Sequence, residues 1–135
     1  MKKEGSPWDR IRILIADDQA HVRKGLQAVL ELEDDLEIVG TATNGLEAVG
    51  LAERLRPDVI LMDLSMPHLD GAEAAQRIRD KGLPPLIIAM TTHSNPESRR
   101  RAERAGTVAL IEKDAPDISL SQFIRSVYRA SVSDK

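Results

Sequence analysis

The stretch of sequence that decides the fold is DVILMDLSMPHLDG, residues 58–71. It begins with the apolar run DVILM, in which almost every residue is hydrophobic, as expected for a strand that is covered on both faces. An acid, Asp63, follows this run directly. Pro67 and the Asp70-Gly71 pair are turn residues, and they predict a loop that leads into a helix. The stretch therefore predicts a buried strand that ends at a carboxylate.

Short apolar runs and longer segments with helical periodicity alternate along the rest of the chain. The runs predict five strands, at residues 11–16, 36–42, 58–62, 86–90 and 108–111. Signals for five helices follow them, at 22–30, at Asn44 with Glu47, at Asp70-Gly71, at Asn95-Pro96-Glu97 closed by Gly106, and at 120–127. Five such units in succession predict an α/β fold with a doubly wound parallel sheet and right-handed crossovers.

Length and composition are those of one small globular domain. The 135 residues are enough for a single hydrophobic core, and 41% hydrophobic with 30% charged residues is not the composition of a disordered chain. We divide the chain into a flexible leader (1–9), one domain (10–130) and a C-terminal tail (131–135). Too few residues follow the fifth predicted helix to form a second domain.

Charge and residue usage exclude several classes of function. A net charge of −3 gives no general reason to expect a nucleic-acid or membrane surface. The absence of cysteine excludes disulfides, thiolate metal sites and a cysteine nucleophile within this chain. No apolar run approaches the roughly 20 residues that span a bilayer. We therefore expect a cytoplasmic protein that binds neither a membrane nor nucleic acid directly.

Polar residues follow four of the five predicted strands: Asp17 and Asp18, Asp63, Thr91 and Thr92, and Lys113. Because ligands collect at the carboxyl ends of the strands in open α/β sheets, we expect these side chains to converge. Three crowded carboxylates repel one another unless a cation joins them, and Mg²⁺ accepts oxygen ligands of this kind. A lysine and a hydroxyl beside such a metal complete what phosphoryl transfer to an aspartate requires.

Taken singly, these residues have ordinary explanations. An acid after a strand usually caps a helix or ends a turn, so neither Asp17 nor Asp18 alone would indicate chemistry. The loop between Asp63 and the third helix is more typical of a structural connection. The three histidines do not have the spacing of metal ligands, and we interpret them as surface residues: His21, His68 and His93.

Four segments together resemble the receiver domains of two-component response regulators: ILIADDQ, DVILMDLSMPHLDG, IIAMTTH and ALIEKDA. The resemblance extends over nearly all of residues 10–130. It implies a flavodoxin-like sheet with strand order 2-1-3-4-5 and five helices. Lys-Asp-Ala at the fifth strand and the opening RILIADDQAHVRKGL are similar to the LuxR/NarL-type branch, whose members usually carry a helix-turn-helix DNA-binding domain.

Carried over position by position, the resemblance implies a Mg²⁺-dependent phosphoacceptor. Asp63 would accept the phosphoryl group from a histidine kinase or phosphotransfer protein, and Thr91 would be the switch hydroxyl. Lys113 would pair with Asp63 and later with the phosphoryl oxygens. Mg²⁺ would be held by Asp17, Asp18, Asp63 and the backbone carbonyl of Ser65. Such a protein is a switch with Mg²⁺-assisted self-phosphorylation and autodephosphorylation, not a metabolic enzyme.

Two features depart from the family pattern or extend it. Leu110 stands where many receivers have an aromatic residue that reports the state of the site. The fourth helix carries four arginines, which form either a solvated face with local ion pairs or part of a partner surface: Arg99, Arg100, Arg101 and Arg104. In this family the output partner, or a second copy, binds through the fourth helix, fifth strand and fifth helix.

Two other classes of function stay open from the sequence alone. Leu110 is compatible with a binding module that keeps the pocket but has little control by phosphorylation. A hydrolase with an aspartyl-phosphate intermediate also places its nucleophile at a strand end. Such hydrolases usually have a second acid two residues after the nucleophile, where this chain has Ser65.

Overall fold

The computed structural model describes residues 10–113 and 119–133. Within them, strands and helices alternate in this order: β1 (Ile11–Ala16), α1 (Ala20–Leu30), β2 (Leu36–Ala42), α2 (Gly45–Leu55), β3 (Val59–Asp63), α3 (Gly71–Asp80), β4 (Leu86–Thr91), α4 (Pro96–Ala105), β5 (Ala109–Glu112) and α5 (Leu120–Ser133). The predicted leader, 1–9, lies outside the described residues. Helix α5 continues to Ser133, so residues 131–133 of the predicted tail are helical.

All five strands are parallel and lie in the order β2-β1-β3-β4-β5, which confirms the predicted fold. Alternate residues of the central strands point to opposite faces, as in any strand. One face packs on α2 and α3, through residues such as Ile60 and Met62. The other face packs on α1 and α5, and there Leu61 joins Leu30 and Ile124. The apolar runs are explained by this burial on both faces.

Three strands end one residue later than the sequence predicts, since the hydrogen-bonded ladder extends into the polar residues. Asp63 pairs with Met90 in the register of β3 and β4, and Thr91 pairs with Glu112 in that of β4 and β5. Asp63 and Thr91 are therefore the last residues of their strands. Their backbones are held by the sheet, which fixes where their side chains begin.

Helices α2, α3 and α4 begin directly after the predicted caps Asn44, Asp70 and Asn95, with one correction to a cap's bonding. The side chain of Asn95 accepts from Ser98 N–H, Ser98 Oγ accepts from Asn95 N–H, and together they form a capping box. Asn44 likewise accepts from Glu47 N–H at 2.8 Å. In the sequence, Asn44 and Glu47 resemble a capping box, in which the Glu47 side chain would accept from Asn44 N–H. That prediction is wrong, because the carboxylate of Glu47 accepts from the backbone N–H of Thr43, one residue earlier.

No helix within 10–113 or 119–133 combines the length and the apolar character needed to cross a bilayer. Helix α5 has its apolar residues on one side, where Ile124, Phe123 and Val127 pack on the sheet. It is therefore an amphipathic helix of the domain surface.

Candidate functional site

Three carboxylates meet at the carboxyl ends of β1 and β3. These two strands are neighbours in the sheet, and Ala16 pairs with Met62, so Asp17 and Asp63 follow adjacent rungs. One carboxylate oxygen from each of Asp17, Asp18 and Asp63 lies within 4.8 Å of the others. Asp17 and Asp63 are 0% and 3% exposed, whereas Asp18 faces solvent. The predicted acidic group therefore forms, with one open side.

Lys113 brings a positive charge to this group from β5. Its Nζ donates to Asp17 Oδ2 at 3.0 Å, to Asp63 Oδ2 at 3.2 Å and to Gln19 Oε1 at 3.2 Å. The Lys113 side chain is only 7% exposed. Its backbone N–H donates to Thr91 O at 2.8 Å, which fixes the point from which the side chain extends. All three donor positions of the ammonium are used, and they orient it toward the carboxylates.

The charges of the site are unbalanced. Burial is the main reason that the pKa of Asp63 rises to about 6, and the nearby Asp17 raises it further. The Ser65 N–H and Lys113 act in the opposite direction. Burial by itself lowers the pKa of Lys113, but its hydrogen bond to Asp17 and the two carboxylate charges outweigh burial and raise that pKa. One ammonium thus lies beside a group of three carboxylates and contacts two of them, and a divalent cation would relieve the excess negative charge.

The chemistry of this donor set fits a hard divalent ion. Carboxylate oxygens are the ligands that Mg²⁺ prefers, and an exposed acid beside two buried ones leaves room for its waters. No histidine belongs to the metal-capable group found among the described residues. His21, His68 and His93 are all exposed, in keeping with their interpretation as surface residues.

The loop after β3 (residues 64–70) borders the open side of the site. Ser65 N–H donates to Asp63 Oδ1 at 3.1 Å and orients that carboxylate. Gly71 closes the loop, since its N–H donates to Leu64 O at 3.0 Å and a Cβ placed there would lie 1.8 Å from Asp63 O. Glycine is required at this close approach. A cleft of about 460 Å³ opens between this loop, Asp18 and α4. Its lining residues are Asp18, Ser65, Met66, Pro67, Asp70 and Arg101.

The hydroxyl of Thr91 donates to a carbonyl of its own loop and not to the acidic group. Its Oγ1 donates to the carbonyl of His93, in its own loop, at 3.1 Å. A hydroxyl has one hydrogen to donate, so that hydrogen is not given to Asp63. The neighbouring Thr92 is exposed. The structure therefore brings Asp17, Asp18, Asp63 and Lys113 together and leaves the predicted switch hydroxyl engaged elsewhere.

Leu110 lies beneath this region and not in it. It packs against a small apolar cluster formed by Leu64, Ala89 and Ala102. Leu64 directly follows Asp63, and Ala102 belongs to α4. An aliphatic side chain thus fills the space between the acceptor strand and the fourth helix.

Sequence reasoning missed three residues around the site. Gln19 donates its N–H to Asp17 Oδ1 at 2.8 Å and accepts from Lys113, while Arg23 Nη1 donates to Asp17 O at 2.8 Å. Arg101, from α4, donates to Leu64 O at 3.1 Å. Gln19 is the N-cap of α1 and Arg23 lies in its first turn, so their short distance from Asp17 along the chain is the sequence signal that could have indicated these contacts. No local feature of the sequence distinguishes Arg101 from the neighbouring arginines.

Comparison with known protein families matches residues 13–125 to the response regulator receiver domain. The chain belongs to this family. This receiver is 42% identical over 117 residues to the transcriptional regulatory protein DesR of Bacillus subtilis. The matched region covers 87% of this chain and 58% of DesR. It is 39% identical over 112 residues to a protein-glutamate methylesterase/protein-glutamine glutaminase of Halalkalibacterium halodurans, which covers 82% of this chain and 32% of that protein.

Among solved structures, the receiver is similar to a DNA-binding response regulator of the LuxR family from Staphylococcus aureus. The TM-score is 0.81 at 30% identity, with 87% of this chain and 98% of that chain covered. These relatives confirm the resemblance to the LuxR/NarL-type branch. The chain spans little more than half of DesR and about a third of the methylesterase, so the activities in those names belong to those proteins.

Proposed function

We propose that this receiver is a phosphorylation switch, in which Asp63 accepts a phosphoryl group from the phosphohistidine of a histidine kinase or phosphotransfer protein. One observation carries the proposal: three carboxylate oxygens lie within 4.8 Å of one another, with Lys113 Nζ 3.2 Å from Asp63. Family membership supports it, because receivers bind Mg²⁺ at an acidic cluster of this kind. The proposed domain remains 10–130, and its expected compartment is the cytoplasm.

The transfer is a displacement at phosphorus. A carboxylate oxygen of Asp63 attacks, the new P–O bond forms as the P–N bond breaks, and the departing imidazole takes a proton from solvent. Lys113, whose Nζ lies 3.2 Å from Asp63 Oδ2, would stabilise the phosphoryl oxygens. Mg²⁺, held by Asp17, Asp18, Asp63 and the Ser65 carbonyl, would neutralise charge on those oxygens. Ser65 N–H keeps the Asp63 carboxylate oriented before the attack.

Reversal of the switch uses the same residues. Water attacks the phosphorus of the Asp63 acyl phosphate, the P–O bond to Asp63 breaks, and inorganic phosphate leaves. The carboxylate is regenerated. Self-phosphorylation from a small phosphodonor and autodephosphorylation are therefore properties of one site, and the output depends on the phosphorylated state and not on a released product.

The signal would leave the site through Thr91. On phosphorylation its hydroxyl exchanges the His93 carbonyl for a phosphoryl oxygen, and the loop between β4 and α4 moves with it. This movement biases an equilibrium between two arrangements of the face formed by α4, β5 and α5. That face would bind an output partner or a second copy of the chain. We expect no direct contact of this domain with nucleic acid.

The proposal is tested by phosphoryl incorporation from acetyl phosphate, measured by intact-protein mass spectrometry with and without Mg²⁺. Asp63→Asn should abolish incorporation. The matched control is Asp80→Asn, which makes the same change at an exposed position on α3 and should incorporate normally. Undiminished label on Asp63→Asn, or equal label when EDTA replaces Mg²⁺, contradicts the assignment.

Leu110 favours one alternative, a binding module with little control by phosphorylation. The residue is half-buried against an apolar cluster, and its aliphatic side chain cannot report the state of the site as an aromatic ring does. Affinity for a partner, measured with and without a phosphoryl mimic on Asp63, separates the two functions. Equal affinities would favour the binding module.

A further inference from the structure

We propose that Arg101 is a positioning residue that clamps the loop 64–70 onto α4 and so prearranges the open side of the metal site. The inference deepens the proposed function and rests on it. Arg101 belongs to no motif of the acidic site, and the sequence places it among four similar arginines. The structure separates it from the other three.

Arg101 bridges the two ends of the loop. Its Nη2 donates to Leu64 O at 3.1 Å and lies 3.5 Å from Asp70 Oδ2. Leu64 follows Asp63 directly, and Asp70 is the N-cap of α3. The Arg101 side chain is 30% exposed, so its contacts are partly removed from water. Arg99, Arg100 and Arg104 are exposed on the same helix.

The clamp acts on the segment that is expected to supply a metal ligand. Ser65 lies between the two clamped residues, one position after Leu64. Leu64 O also accepts from Gly71 N–H at 3.0 Å, so both of its lone pairs have a partner. With Leu64 and Asp70 held, the peptide that carries the Ser65 carbonyl has less freedom. Ordering of this kind reduces the entropy lost on binding an ion.

Charge and positioning predict opposite effects of removing Arg101. As a cation beside an acidic site, Arg101 repels Mg²⁺, so its removal should strengthen Mg²⁺ binding if charge alone acts. If Arg101 acts as a clamp, its removal should weaken Mg²⁺ binding. The sign of the change therefore identifies the role.

The experiment is calorimetric titration of the whole chain with MgCl₂. For Arg101→Met we expect Mg²⁺ binding to be weaker by roughly threefold to tenfold, which corresponds to about 0.7–1.4 kcal/mol, the net contribution of one ordinary hydrogen bond. Arg100→Met removes the same charge from an exposed neighbouring position and should bind Mg²⁺ as well as the native chain or slightly better. Unchanged or tighter binding by Arg101→Met overturns the proposal.

A second measurement does not depend on the metal. In the metal-free protein, hydrogen exchange of backbone amides 64–71 should be faster in Arg101→Met than in Arg100→Met, while exchange in β1 and α5 stays the same. Exchange that is equal in the two variants, or faster throughout the domain, overturns the clamp. If the native chain binds no Mg²⁺, the proposed function fails, and this exchange measurement still decides the role of Arg101.

Arg101→Lys guards against a methionine variant that does not fold. Lysine keeps the charge but replaces the planar guanidinium with a shorter point donor. Charge alone then predicts no change in Mg²⁺ affinity, and the clamp predicts weaker binding. Native affinity in Arg101→Lys counts against the proposal.

Discussion

The two halves of the site differ in how complete they are. On the β1 and β3 side, Asp17, Asp18 and Asp63 have already met, and Lys113 is bonded to two of them. On the β4 side, Thr91 is bonded to His93 O, and Ser94 N–H donates to Glu112 Oε2 at 2.8 Å. The acidic half is assembled before any phosphoryl group arrives. Under the proposed function, the hydroxyl half would have to break these bonds to join it.

This difference assigns the two tasks of a switch to separate structures. Buried acids on adjacent central strands cannot move apart without disturbing the sheet, so they define a constant chemical site. The β4–α4 loop is held by hydrogen bonds that are exposed or only partly buried. Each is worth about 1 kcal/mol net, so a new bond to a phosphoryl oxygen can compete with them. Only the second half is suited to carry a signal.

The largest expected effect comes from a substitution beside the acidic half, at Gly71. Gly71→Ala should destabilise the fold by about 3 kcal/mol or more, or prevent folding, because the added Cβ meets the Asp63 carbonyl. Gly50→Ala, in the exposed interior of α2 with no atom within 4 Å of the added Cβ, should stabilise by roughly 0.5–1 kcal/mol. Urea unfolding measures both. Similar stabilities of the two variants would show that the close approach at Gly71 is not a constraint.

Next in size is the metal affinity, which should depend on one half only. Asp18→Asn should weaken Mg²⁺ binding about tenfold or more, because it removes a charged ligand. Thr91→Ala should leave Mg²⁺ affinity within about twofold, since the hydroxyl hydrogen is given to His93, and should cost about 1 kcal/mol of stability. Calorimetry and urea unfolding check these values. A tenfold loss of Mg²⁺ affinity in Thr91→Ala would show that metal binding depends on both halves.

Without metal, the acidic half should make stability depend on pH. Burial raises the pKa of Asp63 from 3.8 to about 6, so the folded state binds a proton more readily than the unfolded chain. The stability from this group is present at low pH and is lost as pH rises through about 6. Between pH 5 and 7.5, the free energy of unfolding should fall by about 1 kcal/mol more in the native chain than in Asp63→Asn. Parallel pH profiles would contradict the raised pKa of Asp63.

The smallest expected effect tests the hydroxyl half of the site at Glu112. Glu112→Ala should cost about 0.5–1 kcal/mol of stability, because Ser94 N–H loses its acceptor. Hydrogen exchange at residues 92–95 should accelerate, while that of 64–71 is unchanged. Glu103→Ala, at an exposed position on α4, is the control. Accelerated exchange in both loops would mean that they move as one unit.

The sequence predicts the fold and the acidic group because both follow from local patterns. Apolar runs and caps define the strands and helices, and a parallel sheet brings strand-end residues such as Asp17 and Asp63 to one edge. The strand boundaries differ by one residue, since Asp63 and Thr91 take part in the ladder. The polarity of a residue does not show whether it is the last paired residue of a strand or the first residue of the loop.

What the sequence does not predict depends on contacts between distant segments. Arg101 looks like Arg100 in the chain, and only the packing of α4 beside the loop 64–70 distinguishes them. The engagement of Thr91 with His93 O depends on the path of a loop backbone. The sequence does not show whether the Glu47 carboxylate accepts from the N–H of Asn44 or from that of Thr43, which is its donor in the structure.

The most direct test of the account is a crystal structure of the chain with Mg²⁺ and beryllium trifluoride, a phosphoryl mimic, on Asp63. We expect the ion between Asp17, Asp18 and Asp63, with these carboxylates close to their present positions, and the Thr91 hydroxyl turned from His93 O to a fluorine of the mimic. An ion bound elsewhere, or Thr91 still bonded to His93 with the mimic in place, would contradict the account.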